Sequence, residues 1–185
     1  MKEQLKNRNL QILLVVGALV ELALAFEFFW FSYSVLKSIR YLFLLGVMFI
    51  IAWIDHCDRK IPNKLLFFLL SGRATLLAVE WLVFPEVGKI LLFSSLLGMV
   101  LGGGLFLLAH FISRRGVGMG DVKLFGVIGA YMGAGSIMTV VFLTAAFSAI
   151  YSIVMLARKK IKLKEEVPFA PFALAGLVAA MALGV

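Results

Sequence analysis

Apolar runs long enough to cross a lipid bilayer follow one another along this chain, and nothing else constrains its fold so strongly. Residues 10–31, 65–84, 90–112 and 136–156 each come close to the ~20 apolar residues that span a hydrocarbon core. Of 185 residues, 63% are hydrophobic and only 15% charged, and the mean hydropathy is +1.05. A soluble domain of this size could not cover so much apolar surface with polar groups. A helix satisfies its own backbone hydrogen bonds in lipid. The expected fold is therefore all-α, a polytopic transmembrane bundle of about six to seven membrane helices.

Between charge clusters the candidate spans are 10–31, 41–54, 65–84, 90–112, 122–132, 136–156 and 168–185. The second and fifth are short, as suits helices that begin or end in a protein-lined cavity. With the N-terminus inside, the inner segments hold Lys2, Lys6, Arg8, Arg59, Lys60, Lys64, Arg114, Arg115, Lys123, Arg158, Lys159, Lys160, Lys162 and Lys164. The outer ones keep only Lys37, Arg40 and Lys89, with Arg73 inside a span. Such a bias orients helices during insertion and predicts a multi-pass protein of the cytoplasmic membrane. The net charge of +8 is dispersed over these short loops. It fits anionic headgroups of the bilayer as partner and not nucleic acid.

The start of the chain has two readings. Lys2, Lys6 and Arg8 before an apolar stretch and Ala23-Leu24-Ala25 loosely match a cleavable signal peptide. Apolar character continues through Phe31, too far for a compact signal core, so an uncleaved anchor is the better reading. The domain expectation is one integral-membrane unit over 1–185, with an extra N-terminal helix in 1–40 and the core in 41–185.

Two aspartates stand at the edges of the hydrocarbon. Asp55 closes one apolar run and Asp121 opens another, and the charge bias puts both at the inner face. An ionisable residue there is costly and is a functional-site candidate. Two carboxylates that meet are the minimum equipment for acid/base hydrolysis of a peptide bond. Each also has a plainer reading. Asp121 after Gly116-x-Gly118-x-Gly120 could simply cap a helix entry. The stretch from Asp55 to Asn63 could be a charged turn, with Pro62 starting the next helix. The glycine series is neither a phosphate-binding loop nor a dinucleotide fingerprint, because the required spacing and Lys-Ser/Thr are absent.

Taken together, Asp55 followed by Ile61-Pro62-Asn63, and Gly118-x-Gly120-Asp121-Val122-Lys123-Leu124, resemble the type IV prepilin peptidases and their archaeal preflagellin relatives. These are membrane aspartic proteases of the Gly-x-Gly-Asp kind. Val167-Pro168-Phe169-Ala170-Pro171-Phe172 is similar to the Pro-Phe-Gly-Pro-Phe that opens that family's last helix, with Ala170 in place of glycine. The likeness covers about Tyr41 to the C-terminus. It implies a catalytic pair Asp55 and Asp121, with Gly118, Gly120, Lys123, Ile61, Pro62, Asn63, Pro168 and Pro171 in support. The implied activity is removal of a short basic leader from prepilin-like or preflagellin-like precursors at the cytoplasmic membrane face. Larger members carry a methyltransferase region with two Cys-x-x-Cys pairs. Cys57 is the one cysteine here, so the chain reads as the short, peptidase-only form, and N-methylation would need another protein. A proton-coupled transporter and a catalytically silent membrane scaffold stand as alternative readings.

The helix-dipole argument makes Asp121, at a helix N-terminus, more often the base that activates water. Asp55, near a helix C-terminus, is then more often the acid, the two sharing one proton. A basic active face would repel a basic leader unless Asp58, Glu165 or Glu166 attracts it, and Asp58 is the candidate leader-binding residue. Lys123 reads as a headgroup anchor or as a neighbour tuning Asp121.

Glu21 and Arg73 fall at similar distances from the inner ends of two parallel spans, so at ~1.5 Å per residue they reach similar depth. That predicts an ion pair between them. Glu27 and Glu80 lie further out, within reach of Lys37, Arg40 and Lys89. His110 reads as a packed or interfacial histidine, and His56 and Cys57 as bystanders. Gly98 and Gly102-Gly103-Gly104 predict a close helix contact. Nothing in the composition calls for a metal or an organic cofactor.

Overall fold

A computed structural model describes residues 2–31, 33–113, 117–158 and 167–184. Arg114, Arg115, Lys159, Lys160, Lys162, Lys164, Glu165 and Glu166 lie outside them, so their expected roles have no structural counterpart here. The described residues form six helices: α1 (Lys2–Trp30), α2 (Val35–Asp58), α3 (Asn63–Val83), α4 (Pro85–Ile112), α5 (Met119–Ala157) and α6 (Ala170–Ala182). Helices α2 to α5 are long and apolar enough to cross a membrane, and α6 is shorter but equally apolar. The chain is an all-α integral-membrane bundle, as its composition predicts.

The burial pattern is that of a lipid-bathed protein. Large apolar side chains such as Leu22, Phe67, Phe93 and Ile112 point outward, where hydrocarbon solvates them at no cost. The core is built around the first part of α5, where Leu124, Phe125 and Ile128 are fully buried. Against it stand Leu44, Leu45, Met48 and Ile51 of α2 and Ala173, Leu177 and Ala180 of α6. Helix α1 joins through Leu24 and Phe28 and packs on α2 and α6.

Helix α5 is broken at Gly133, whose φ of 80° and ψ of 175° are open only to glycine. The expected spans 122–132 and 136–156 correspond to its two halves. Phe125, before the break, and Ile137, after it, both lie against Gly102 of α4, so the chain doubles back there as a helical hairpin. Backbone groups freed by the break find partners. The Ala134 N–H donates to Ser94 Oγ at 3.2 Å, and the Ala130 carbonyl accepts from Ser95 Oγ at 2.6 Å and Arg73 Nε at 2.9 Å. In lipid no water could do this work.

Helix α4 lies closest to α5, and small residues make that possible. A Cβ on Gly98 would run into the Gly129 carbonyl, and one on Gly103 would meet the Gly126 Cα at 3.4 Å. The expected glycine contact therefore forms, except at Gly104, which faces open space.

Two expectations need correction. The span expected over 41–54 is the full 24-residue helix Val35–Asp58. The charges that interrupted its apolar run are accommodated: Lys37 Nζ sits 4.0 Å from the Tyr33 ring centroid, and Ser34 Oγ accepts the Lys37 N–H to cap the helix. The Glu21–Arg73 pair does not form. Arg73 Nη1 bonds Glu80 Oε2 at 2.9 Å two turns along its own helix, while Glu21 lies against α2 beside Gly46. A partner on the same helix needs no agreement between two helix rotations, which decides the competition. Glu80 also takes Arg40 Nη1 at 3.3 Å, a partner within the expected set. Among the described residues, Lys89 pairs with exposed Glu86.

Candidate active site

Each of the three motifs forms a helix end, and the three ends converge. Asp55 occupies the last turn of α2 and is 6% exposed. Arg59 stops that helix in the left-handed region, at φ 51° and ψ 40°, and its N–H returns to the Asp55 carbonyl at 2.9 Å. Pro62, extended at φ −73°, then leads into α3 at Asn63. Gly118 is the extended residue before α5, and Asp121 in the first turn reaches back to accept its N–H at 3.2 Å. That is one half of a capping box, with the acid end fastened to the backbone.

Contacts between the motifs are direct. Gly120 faces Ile61 so closely that a Cβ there would stand 3.3 Å from the Ile61 Cβ. Lys123 Nζ donates to Asn63 Oδ1 at 3.1 Å. Lys123 thus ties one motif to the other, a contact not among the roles expected of it. Asp55 and Asp121 are near enough for the charge of one to act on the other.

The third motif supplies what sequence reasoning missed. Pro168 precedes α6 and Pro171 is its second residue, where a missing N–H costs nothing. The first N–H of α6, from Ala170, has no helical partner. It donates to Asp55 Oδ2 at 2.8 Å, across 115 residues of chain. Because the donor is backbone, alanine serves there as well as glycine. The likeness of Pro168–Phe172 to the motif that opens the family's last helix implied a helix start there, but not what its first N–H would meet. That bond also undoes the dipole argument that separated the two acids. Asp55 ends α2 but also faces the N-terminus of α6, so both carboxylates sit at positive helix ends.

Below this junction, Phe169 lies against Phe106 and Phe125, with ring centroids 5.6 and 5.9 Å apart, and those two rings stack at 3.9 Å. Asp58 ends α2 exposed on the same side. His56 and Cys57 are exposed beside Asp55, and His110 Nδ1, part-buried, bonds the Val117 carbonyl. No group of three or more His, Cys, Asp or Glu able to hold a metal occurs among the described residues. What the junction offers chemically is a pair of buried or half-buried carboxylates, each oriented by one backbone N–H.

Comparison with known proteins gives a consistent likeness. The model of the type IV leader peptidase family matches residues 42–153, more than half of the chain. The prepilin leader peptidase/N-methyltransferase of Bacillus subtilis (strain 168) is 29% identical over 140 residues, 76% of this chain and 54% of that protein. The proteins of the same name from Burkholderia pseudomallei strains 1026b and K96243 are each 36% identical over 70 residues, 38% of this chain and 23% of theirs. The chain thus spans about half the length of the Bacillus relative and less of the others. No solved structure gives a significant match.

Proposed function

The chain belongs to the type IV leader peptidase family, and on that premise we propose that it is a membrane aspartic endopeptidase acting on prepilin-like precursors. Asp55 and Asp121 are the catalytic pair, and the site opens at the cytoplasmic face of the cytoplasmic membrane. Its substrate carries a short basic leader followed by a hydrophobic helix. The leader lies at the headgroups, the helix lies in the lipid, and the bond between them reaches the level of the two acids.

The observation that carries this reading is the convergence of three helix ends on two carboxylates, with Ala170 N–H holding Asp55 and Gly118 N–H holding Asp121. Two like charges close to one another do not both ionise cheaply, so in this reading the pair shares one proton. The ionised carboxylate takes a proton from a water as its oxygen adds to the scissile carbonyl, and the protonated one donates to the carbonyl oxygen. The tetrahedral diol then collapses: its C–N bond breaks, the nitrogen is protonated by the acid that took the water's proton, and the other acid recovers its own. Protons and electrons balance without any further group.

The test is co-expression with a pilin-like precursor carrying a basic leader, read as a mobility shift on processing. Asp55→Asn and Asp121→Asn should each cut the rate by ~10²–10⁴-fold while the protein still accumulates in the membrane. Undiminished processing by either variant would end the proposal.

A further inference from the structure

Helix α3 carries neither acid, yet it is fastened by polar bonds to both helices that do. Toward α2, Glu80 Oε1 accepts Arg40 Nη1 at 3.3 Å. Toward α5, Arg73 Nε donates to the Ala130 carbonyl at 2.9 Å, and the Tyr131 hydroxyl donates to the Leu69 carbonyl at 2.7 Å. Glu80 Oε2 and Arg73 Nη1 join the two sides at 2.9 Å. Arg40, Arg73 and Glu80 are 6%, 2% and 4% exposed. At the other end of the half-helix 119–132, Lys123 reaches Asn63 of the same α3.

Stability alone does not account for three buried charges, because apolar side chains of similar volume hold helices together as well or better. What a guanidinium fork adds is direction: it fixes where a carbonyl and a carboxylate stand relative to each other. The fixed carbonyl belongs to the half-helix that carries Asp121 in its first turn, about nine residues or roughly 13 Å away along the axis. Over that lever, a tilt of about 4° moves the far end by roughly 1 Å. A displacement of that size can cost ~10²-fold in rate.

We propose that α3 is a splint that sets the separation of Asp55 and Asp121, with Arg73 and Glu80 as its positioning residues. The catalytic meaning of that separation rests on the function proposed above; the geometric claim does not. Arg73→Met is the sharp test: it takes away the partner of Glu80 Oε2 but leaves no residue of the network without a bond. Glu80 keeps Arg40, the Ala130 carbonyl keeps Ser95, and one net buried charge disappears.

The expected result is normal accumulation in the membrane, an unchanged KM for the precursor and a kcat lower by ~10²-fold. A second readout needs no proteolysis. In a Cys57→Ser background, Asp55→Cys with Asp121→Cys is treated in native membranes with a short bis-methanethiosulfonate, which joins two free thiols with loss of two sulfinates, and adding Arg73→Met should slow cross-linking severalfold. An unchanged cross-linking rate overturns the splint whatever happens to kcat. Should Arg73→Met not accumulate, the Tyr131→Phe, Asn63→Ala double variant removes no charge and is read in the same two ways. A wild-type protein that processes no precursor sinks the proposed function, while cross-linking still decides the role of α3.

Discussion

Among the described residues, Asp55 and Asp121 are each held by one backbone N–H, from Ala170 and Gly118. Arg59, Lys60 and Lys64 crowd the same end of the bundle and are exposed, so a basic leader approaches against a positive field. Asp58, exposed at the end of α2, is the acid available among the described residues there. Asp58→Asn is expected to raise KM for a basic leader severalfold at low salt with kcat unchanged. The effect should fade as the Debye length shrinks toward ~3 Å at 1 M. An equal KM at both ionic strengths, measured on purified precursor, would remove Asp58 from leader binding. These residues were legible in the sequence because helix-end motifs are local. The Ala170 donor was not, since its partner lies 115 positions away.

At the scale of elements, the seam between α4 and α5 is the most demanding. Gly98 and Gly129 approach so closely that a single methyl on either meets the other's backbone, which cannot swing aside as a side chain does. Gly98→Ala is expected to destabilise the bundle by about 1–3 kcal/mol, the usual cost of overpacking. Gly104→Ala, where nothing lies within 4 Å of the added carbon, should be neutral or stabilising by up to ~1 kcal/mol from helix propensity. Thermal unfolding in detergent compares the two, and equal melting temperatures would contradict the close crossing. The glycines announced this contact in the sequence. The hairpin at Gly133 was visible only as a gap between two apolar runs, because nothing local says whether a chain crosses or turns back.

Across the whole molecule, the ends bearing Asp55, Asp121 and Ala170 gather on one side, opposite the α3–α4 turn at Phe84. The positive-inside bias supports the proposal that this side faces the cytoplasm. Cys57 offers a direct check, being exposed there and the one cysteine in the chain. A membrane-impermeant maleimide is expected to label it in inverted vesicles and in spheroplasts only after permeabilisation. Labelling of intact spheroplasts would place the acids on the opposite face.

The all-α membrane character and the location of both acids at the same end follow from contiguous stretches of chain, since hydropathy and charge act on each segment as it enters the membrane. Both were legible in the sequence alone. Only the tertiary structure decided that Arg73 takes Glu80 and Ala130 in place of Glu21, that Lys123 binds Asn63, and that α6 points its first N–H at Asp55. Such pairings depend on how helices distant in sequence rotate and tilt against one another. In lipid, where every buried polar group must find a partner, packing chooses among several chemically adequate ones.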